Sequence, residues 1–420
     1  MEYGLIGSRL GHSYSKIIHE MLCGYQYELR PLPTEAEARA FLEERSFKAI
    51  NVTLPYKRLV MEYCTEIDPR AAAIGAVNTV VNENGRLYGY NTDYMGFDYL
   101  CRAHGVDFGG KTVLILGTGG THNTTAAVAR DRGAARILTV SRTPDPAKGE
   151  LSYQEAKTSG AQIVINTTPA GMYPNVGVCN LDVAALPGLE AVLDVVYNPH
   201  RTELLLRAEE AGVPIVAGGL EMLVAQAVYA AEYFLHKPFA DAEGEIARIA
   251  AALRRQLLNV VLIGMPGCGK TTVGRALAKA LGRDFVDLDA EIVRSAGCSI
   301  PEIFTAEGEE GFRARETQQA QNFGKEKGLL ISCGGGIVKK PENIRALRQN
   351  GVILWLDRPV EALTVGHGRP LSTSAEAVRQ MEAQRRPLYA AVADAVVPHH
   401  TTTEAARTAA LGGLDENLDS

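Results

Sequence analysis

Gly264-Met-Pro-Gly-Cys-Gly-Lys270-Thr271 fits G-x-x-x-x-G-K-[ST] at every fixed position. Glycines at this spacing let backbone N–H groups turn inward around phosphate oxygens. Lys270 adds a point charge for the β- and γ-phosphates, and the Thr271 hydroxyl is placed to hold Mg²⁺. The nucleotide-contacting set is then Gly267, Cys268, Gly269, Lys270, Thr271 and Thr272. A nucleoside triphosphate is the expected ligand of this stretch.

Other reactive residues lie upstream. Gly11-His12-Ser13-Tyr14-Ser15 places two hydroxyls at i and i+2, where a loop enters a helix. Ala49-Ile-Asn51-Val-Thr53-Leu-Pro55-Tyr-Lys57 begins as a strand and is broken by Pro55. Asn51, Thr53 and Lys57 are expected at one cleft, because open α/β sheets bind ligands beyond the carboxyl ends of their strands. A lysine held there is suited to proton transfer. The runs Ala73–Val81 and Leu87–Asp93 read as apolar strands that end in the polar groups Asn78-Thr79 and Asn91-Thr92-Asp93. Together these residues offer hydroxyls, amides, an ammonium and a carboxylate, a set suited to a polyhydroxylated acid.

A second glycine turn, Gly117-Thr-Gly119-Gly120, follows the apolar run Lys111–Leu116. With a helix over Thr121–Arg132 and a strand over Arg136–Val140 it forms a β-α-β unit of dinucleotide-binding type. The second strand ends in Ser141-Arg142-Thr143 rather than an acidic residue. A guanidinium pairs with a 2′-phosphate, so NADP is expected over NAD.

The elements needed to position these groups are legible as α/β throughout. Tyr3–Ile6, Ala161–Ile165, Ala191–Val195, Val260–Ile263 and Asp284–Val286 read as short strands, and Lys16–Leu22 as a helix. Val273, Ala276, Leu277, Ala280 and Leu281 recur at helical spacing behind the phosphate loop. Ile246, Ile249, Ala250, Leu253 and Leu257 share one face of a linker helix over residues 239–258. The acidic, glycine-containing tail 401–420 is expected to be partly disordered.

The chain has 420 residues, enough for two or three domains, with 46% hydrophobic and 22% charged residues. A net charge of −6 gives no support to a nucleic-acid partner. The 7 cysteines form no C-x-x-C pair, which argues against a zinc site or a disulfide framework and for a reduced cytoplasm. No apolar stretch approaches the ~18–20 residues of a membrane span, and the first residues lack a signal core. Oligomeric state is left open, with a homodimer as one option.

Taken singly, each motif has an ordinary alternative: a capping serine, a surface lysine, a glycine-rich turn, a solvated arginine. Their order removes that ambiguity. G-H-S-x-S, N-V-T-x-P-Y-K, A-V-N-T, N-T-D, G-x-G-G, N-T-T-P-x-G-M, D-V-V-Y-N-P and G-L-x-M-L-V-x-Q-A run from Gly11 to Ala227. This series resembles shikimate dehydrogenase. The resemblance implies NADP-dependent interconversion of 3-dehydroshikimate and shikimate, with Lys57 and Asp93 as the catalytic pair. It also implies substrate contacts from Ser13, Ser15, Thr53, Asn78, Tyr197 and Gln226. The cofactor contacts it implies are Gly117, Gly119, Gly120, Thr121, Ser141, Arg142, Thr143 and Gly219. Two positions depart from the family pattern: Asn123 replaces a frequent basic residue, and Gly218 a frequent acidic one.

Behind the phosphate loop come Asp287-Leu-Asp289, Glu309-Glu-Gly-Phe312-Arg313-x-x-Glu316, Ser332-Cys-Gly334-Gly335-Gly336, Gly368-Arg369-Pro370-Leu371 and Arg385-Arg386-Pro387-Leu388-Tyr389. In that order they resemble shikimate kinase. The resemblance implies Mg²⁺ at Thr271 and Asp287, and Asp289 as acceptor of the hydroxyl proton. It further implies a substrate held by Asp289, Arg313, Gly335 and Arg385, with lid residue Arg369 reaching ATP. The lid Leu363–Arg369 lacks a further arginine frequent in the family, and Ser372 replaces a usual leucine.

The expected organisation is a two-lobed dehydrogenase followed by a P-loop kinase with a parallel sheet. The substrate lobe takes residues 1–92 and 220–238, and a Rossmann lobe takes 93–219. A linker helix takes 239–258, the kinase 259–400 and a tail 401–420. A quinate-preferring, NAD-using first half is a second option, opposed by Ser13, Ser15, Thr53 and Arg142. A ligand sensor with degenerate sites is a third, opposed by the presence of Lys57, Asp93, Lys270, Asp289, Arg313 and Arg385.

Overall fold

The computed structural model describes residues 1–11, 13–363 and 375–418. The chain divides into two compact units, Met1–Ala250 and Ala251–Ser420.

The first unit holds two sheets. One contains β1 (Tyr3–Gly7), β2 (Tyr27–Pro31), β3 (Ala49–Val52), β4 (Glu66–Ile67), β5 (Thr79–Glu83) and β6 (Arg86–Tyr90), in the order β2-β1-β3-β5-β6-β4. β1 is parallel to β2 and β3, whereas β5 is antiparallel to both β3 and β6. The carboxyl ends of β1, β3 and β6 and the amino end of β5 therefore share one edge. Ser13, Thr53, Lys57, Asn78 and Asp93 all lie in the chain just beyond that edge. Ile6, Ile50, Val80 and Leu87 are buried in the core beneath it.

The expectation for Ala73–Val81 needs correcting. Pro69–Ile74 is a helix, capped by the Asp68 carboxylate on Arg70 N and Ala71 N, and Gly75 ends it in the left-handed region at φ 75°. Asn78 thus precedes strand β5 instead of closing one. The apolar run concealed a helix terminus that Pro69 and Gly75 mark chemically.

The second sheet is wholly parallel. It contains β7 (Thr112–Leu116), β8 (Arg136–Val140), β9 (Ile163–Asn166), β10 (Ala191–Asp194) and β11 (Ile215–Ala217), in the order β11-β10-β9-β7-β8. The strand order reverses at β7, which opens a crevice at its carboxyl end. Gly117–Gly120 lies there, and Gly120 begins the Gly120–Asp131 helix. Elsewhere in this unit, the Thr92–Ala103 and Leu220–Leu235 helices pack closely because Gly96 has no side chain. A Cβ at Gly96 would lie 2.6 Å from Met222 O.

The second unit has a parallel sheet of β12 (Asn259–Ile263), β13 (Phe285–Asp287), β14 (Leu330–Ser332), β15 (Gly351–Leu356) and β16 (Ala395–Val397), ordered β13-β14-β12-β15-β16. β12 is central and buried along its length, as its β-branched residues require. It leads into the phosphate loop and the Lys270–Leu281 helix.

The linker segment is a helix over Ala242–Leu257, with Ile246, Ile249, Ala250 and Leu253 buried. The tail departs from expectation, because Thr403–Leu418 is a helix. Ala410, Leu414 and Leu418 fall at i, i+4 and i+8 and enter the same core as β12 and β15. One of the glycines that suggested disorder, Gly413, allows close packing: a Cβ there would lie 3.1 Å from Ala395 Cβ. Among the described residues, no helix is long and apolar enough to cross a membrane.

Candidate active sites

In the first unit, Lys57 Nζ lies 2.5 Å from Asp93 Oδ2, with the side chains only 18% and 14% exposed. Backbone fixes both ends of this pair. Val77 N donates to Lys57 O at 2.9 Å. Asp93 sits in the first turn of the Thr92–Ala103 helix, which the Asn91 side chain caps through Tyr94 N.

Asn78 is oriented by three donors. Its Oδ1 accepts from Thr92 N at 2.7 Å, Thr79 Oγ1 at 3.1 Å and Thr92 Oγ1 at 3.2 Å. A backbone N–H is always a donor, so Oδ1 must face Thr92 and the Nδ2 donor must face the other way. Asn51, expected at the cleft, is buried instead. It accepts from Tyr27 Oη at 2.7 Å and donates to Thr79 Oγ1 at 3.1 Å. It supports the polar row from beneath.

Ser13 Oγ donates to Ser15 Oγ at 3.1 Å and accepts from Ser15 N at 3.2 Å, at the start of the Ser15–Leu22 helix. Thr53 is fixed by its N–H on Ile6 O at 2.9 Å. The Tyr14 and Tyr197 rings lie 5.4 Å apart. Burial raises both phenols, so each is a hydroxyl donor at neutral pH. Gln226 is 8% exposed and donates through Nε2 to Leu223 O at 2.9 Å.

The glycine turn fits a dinucleotide. Gly117 has φ 103°, and a Cβ there would lie 2.8 Å from Thr168 Cγ2. At Gly119 and Gly120 a Cβ would meet nothing within 4 Å, so the helix start faces open space. The amino end of a twelve-residue helix with bare glycines in front of it is suited to a pyrophosphate. Thr121 follows in the same first turn. Ser141, Arg142 and Thr143 follow β8, with Thr143 N on Ser141 Oγ at 3.3 Å and Arg142 exposed.

The two departures acquire physical meaning. Asn123 Nδ2 donates to Ile74 O at 3.2 Å, so its amide holds the end of the Pro69–Ile74 helix. A Cβ at Gly218 would lie 2.8 Å from His200 O, which leaves no room for an acidic side chain. A Cβ at Gly219 would overlap Val195 O, so this position also requires glycine.

In the second unit, Lys270 is 8% exposed and its Nζ donates to Gly264 O and Met265 O at 2.8 and 2.9 Å. Thr271 Oγ1 donates to Asp287 Oδ2 at 2.9 Å. That hydroxyl and carboxylate offer adjacent oxygen donors, as Mg²⁺ prefers. Among the described residues no cluster of three or more His, Cys, Asp or Glu side chains forms a metal site. A P-loop Mg²⁺ needs none, because phosphate and water supply its remaining ligands. Asp287 also caps the Leu288–Ala296 helix, accepting from Asp289 N at 3.1 Å.

A cavity of about 320 Å³ joins the phosphate loop to Asp289, Arg313, Gly335 and Arg385. The three consecutive glycines form its bare floor. A Cβ at Gly334 would lie 2.6 Å from Asp289 Oδ1, and one at Gly336 would overlap the Arg313 guanidinium. Arg385 Nη1 and Tyr389 Oη both donate to Gly335 O, at 2.9 and 2.5 Å.

Two groups of residues adjoin these sites without a role assigned to them from the sequence. Glu316 pairs with Arg313 at 2.7 Å, and its side chain is 1% exposed. Burial raises its carboxyl, and nearby Asp289 adds to the rise. Its i+3 spacing from Arg313 on one helix was the available signal. A second cavity, of about 190 Å³, lies beside the same loop. It shares Gly267, Cys268, Gly269 and Thr272 and adds Arg358, Pro398 and His400. Arg358 and Pro398 follow β15 and β16, and that position was their only signal. Arg369 and Ser372 lie outside the described residues.

The family model for the shikimate dehydrogenase substrate binding domain matches residues 5–80, and that for shikimate kinase matches residues 266–411. A shikimate dehydrogenase (NADP(+)) of Clostridium beijerinckii is 35% identical over 250 residues, spanning 55% of this chain and 90% of the relative. A chorismate mutase/shikimate 5-dehydrogenase fusion protein from Clostridium acetobutylicum superposes with a TM-score of 0.56 at 33% identity, over 60% of this chain and 96% of that one. Shikimate 5-dehydrogenase from Thermus thermophilus, in complex with NADP(H) and shikimate, gives a TM-score of 0.52 at 29% identity, over 60% and 99%. Identity above 30% across nine-tenths of a relative settles the first half, and an independent match covers most of the second. The chain belongs to the shikimate dehydrogenase family and carries a shikimate kinase domain behind the dehydrogenase.

Proposed function

We propose that the first unit reduces 3-dehydroshikimate to shikimate with NADPH and that the second transfers a phosphoryl group from ATP to the 3-hydroxyl of shikimate. The observation that carries this reading is that a sheltered Lys57–Asp93 pair lies on the unit that bears the dinucleotide turn, while Asp289 lines the cavity at the phosphate loop. Lys57 beside Asp93 is read as the acid–base group of the reduction and Asp289 as that of the phosphoryl transfer.

NADPH supplies the hydride. Gly117, Gly119, Gly120 and Thr121 would hold its pyrophosphate, and Ser141, Arg142 and Thr143 its 2′-phosphate. Lys57 gives a proton to the oxygen that gains negative charge, and Asp93 keeps the ammonium oriented. Ser13, Ser15, Thr53, Asn78, Tyr197 and Gln226 orient ring hydroxyls and carboxylate. In the second unit Arg313 and Arg385 hold the shikimate carboxylate, and Asp289 accepts the hydroxyl proton. Lys270 neutralises charge on the phosphates, and Thr271 with Asp287 would hold Mg²⁺. The cavity around Arg358 and Pro398 takes the nucleoside, because it adjoins the phosphate loop and its lining includes none of Asp289, Arg313 and Arg385. The free cysteines suit a cytoplasmic protein.

The test is a rate comparison on the purified chain. Oxidation of shikimate with NADP⁺ should outpace oxidation of quinate with NAD⁺. The reverse ranking would assign the first unit to quinate, and no turnover of either would favour a ligand sensor.

A further inference from the structure

Asp194 is fully buried at the carboxyl end of β10, and its hydrogen-bond donors among the described residues are neutral groups. Its Oδ1 accepts from Asn166 Nδ2 at 2.9 Å and Val196 N at 3.0 Å, and its Oδ2 from Thr202 Oγ1 at 2.6 Å. A buried carboxylate is expensive, and a neutral side chain would fill this place at less cost to stability. Burial pushes its carboxyl up to about 6, against the lowering effect of those three hydrogen bonds.

The three donors lead to different parts of the dehydrogenase site. Asn166 closes β9, and its Oδ1 accepts from Thr168 N at 3.1 Å and Thr168 Oγ1 at 2.6 Å. The Thr167–Thr168 segment packs on the dinucleotide turn. A Cβ at Gly117 would lie 2.8 Å from Thr168 Cγ2 and 3.0 Å from Thr167 Oγ1. Val196 immediately precedes Tyr197, and Val196 O accepts from Gly219 N at 3.0 Å, where the helix carrying Gln226 begins. Thr202 caps the Glu203–Glu210 helix through Leu205 N. One carboxylate thus ties the wall of the cofactor turn to the loop and helix that carry two substrate contacts.

We infer that Asp194 is a positioning residue that fixes the cofactor turn and the Tyr197–Gln226 side of the substrate cleft in a single register. Binding of NADP⁺ and of shikimate then depends on the same buried group, although Asp194 touches neither. This inference rests on the reading of the first unit as a shikimate dehydrogenase.

Asp194→Ala and Asp194→Asn separate positioning from mere support. Alanine leaves three donors without an acceptor. Asparagine keeps an acceptor for Asn166 and Val196 and can donate to Thr202 Oγ1. Asp194→Ala should raise KM for NADP⁺ and for shikimate together, each by about tenfold, because small displacements of binding groups have large effects. Asp194→Asn should restore both to within about threefold of the wild type. Lower heat stability with both KM values unchanged would overturn the inference, as would a shift in only one of them. If the alanine variant does not fold, the near-isosteric Thr202→Val decides. Both KM values should rise by about threefold, and no joint rise would overturn the inference. A wild-type chain that does not turn over shikimate would instead refute the underlying assignment.

Discussion

The turn after β7 and the turn after β12 solve related problems with different chemistry. Each follows a buried parallel strand and opens a twelve-residue helix. The first presents bare glycines, with open space at Gly119 and Gly120, and its expected cation, Arg142, stands beyond the end of another strand. The second carries its own cation, Lys270, and the hydroxyl proposed to hold Mg²⁺, Thr271, where the turn enters the helix. A cofactor whose pyrophosphate bonds stay intact needs only binding, which backbone N–H groups and a helix end supply. A phosphoryl group in transfer develops charge at the reacting oxygens, so a cation must sit at that point.

This contrast makes the two activities separable. Lys270→Ala should lower kinase kcat/KM by at least about 10³-fold and leave the dehydrogenase within about twofold, measured by ADP release and NADPH absorbance. Lys57→Ala should do the reverse, and loss of both activities in either variant would break the contrast. Arg313→Ala should raise the kinase KM for shikimate by about 100-fold with little change for ATP, since a bidentate charge pair is lost. Steady-state titration of each substrate checks this. Arg142→Ala should raise KM for NADP⁺ by about tenfold and leave that for NAD⁺ unchanged. Equal effects on both would place the 2′-phosphate elsewhere.

The smallest expected effect concerns stability. His19 is buried between Tyr27 and Phe234, and burial lowers its pKa from 6.5 to about 3. Below pH 6.5 the unfolded chain takes up a proton that the folded unit refuses. Stability of the first unit should therefore fall as pH drops from about 6.5 toward 3, and His19→Phe should flatten that slope. Melting curves of the two proteins across this range would show it, and parallel curves would contradict it.

The sequence exposed both glycine turns because fixed spacing is what a phosphate cradle requires. It exposed Lys57 and Asp93 as separate candidates and, through motif order, as a pair. The antiparallel insertion of β5 was not visible. Asn78 reaches the shared edge from the amino end of its strand, and no local periodicity encodes strand direction. The tail helix was missed because Gly412 and Gly413 read as disorder, whereas Gly413 is needed for contact with Ala395. Arg358 and Pro398 gave little signal, and although Glu316 and Asp194 stand within the family motifs, the sequence does not show the burial that gives them their roles. The linker helix was legible because Ile246, Ile249, Ala250, Leu253 and Leu257 keep a single helical period.

The most direct test is a two-stage stoichiometry on one purified chain. With 3-dehydroshikimate and excess NADPH, we expect one NADPH oxidised per substrate molecule. Adding ATP and Mg²⁺ should then release one ADP per shikimate formed. Reduction without ADP release would contradict the kinase assignment, and absence of NADPH oxidation would contradict the dehydrogenase assignment.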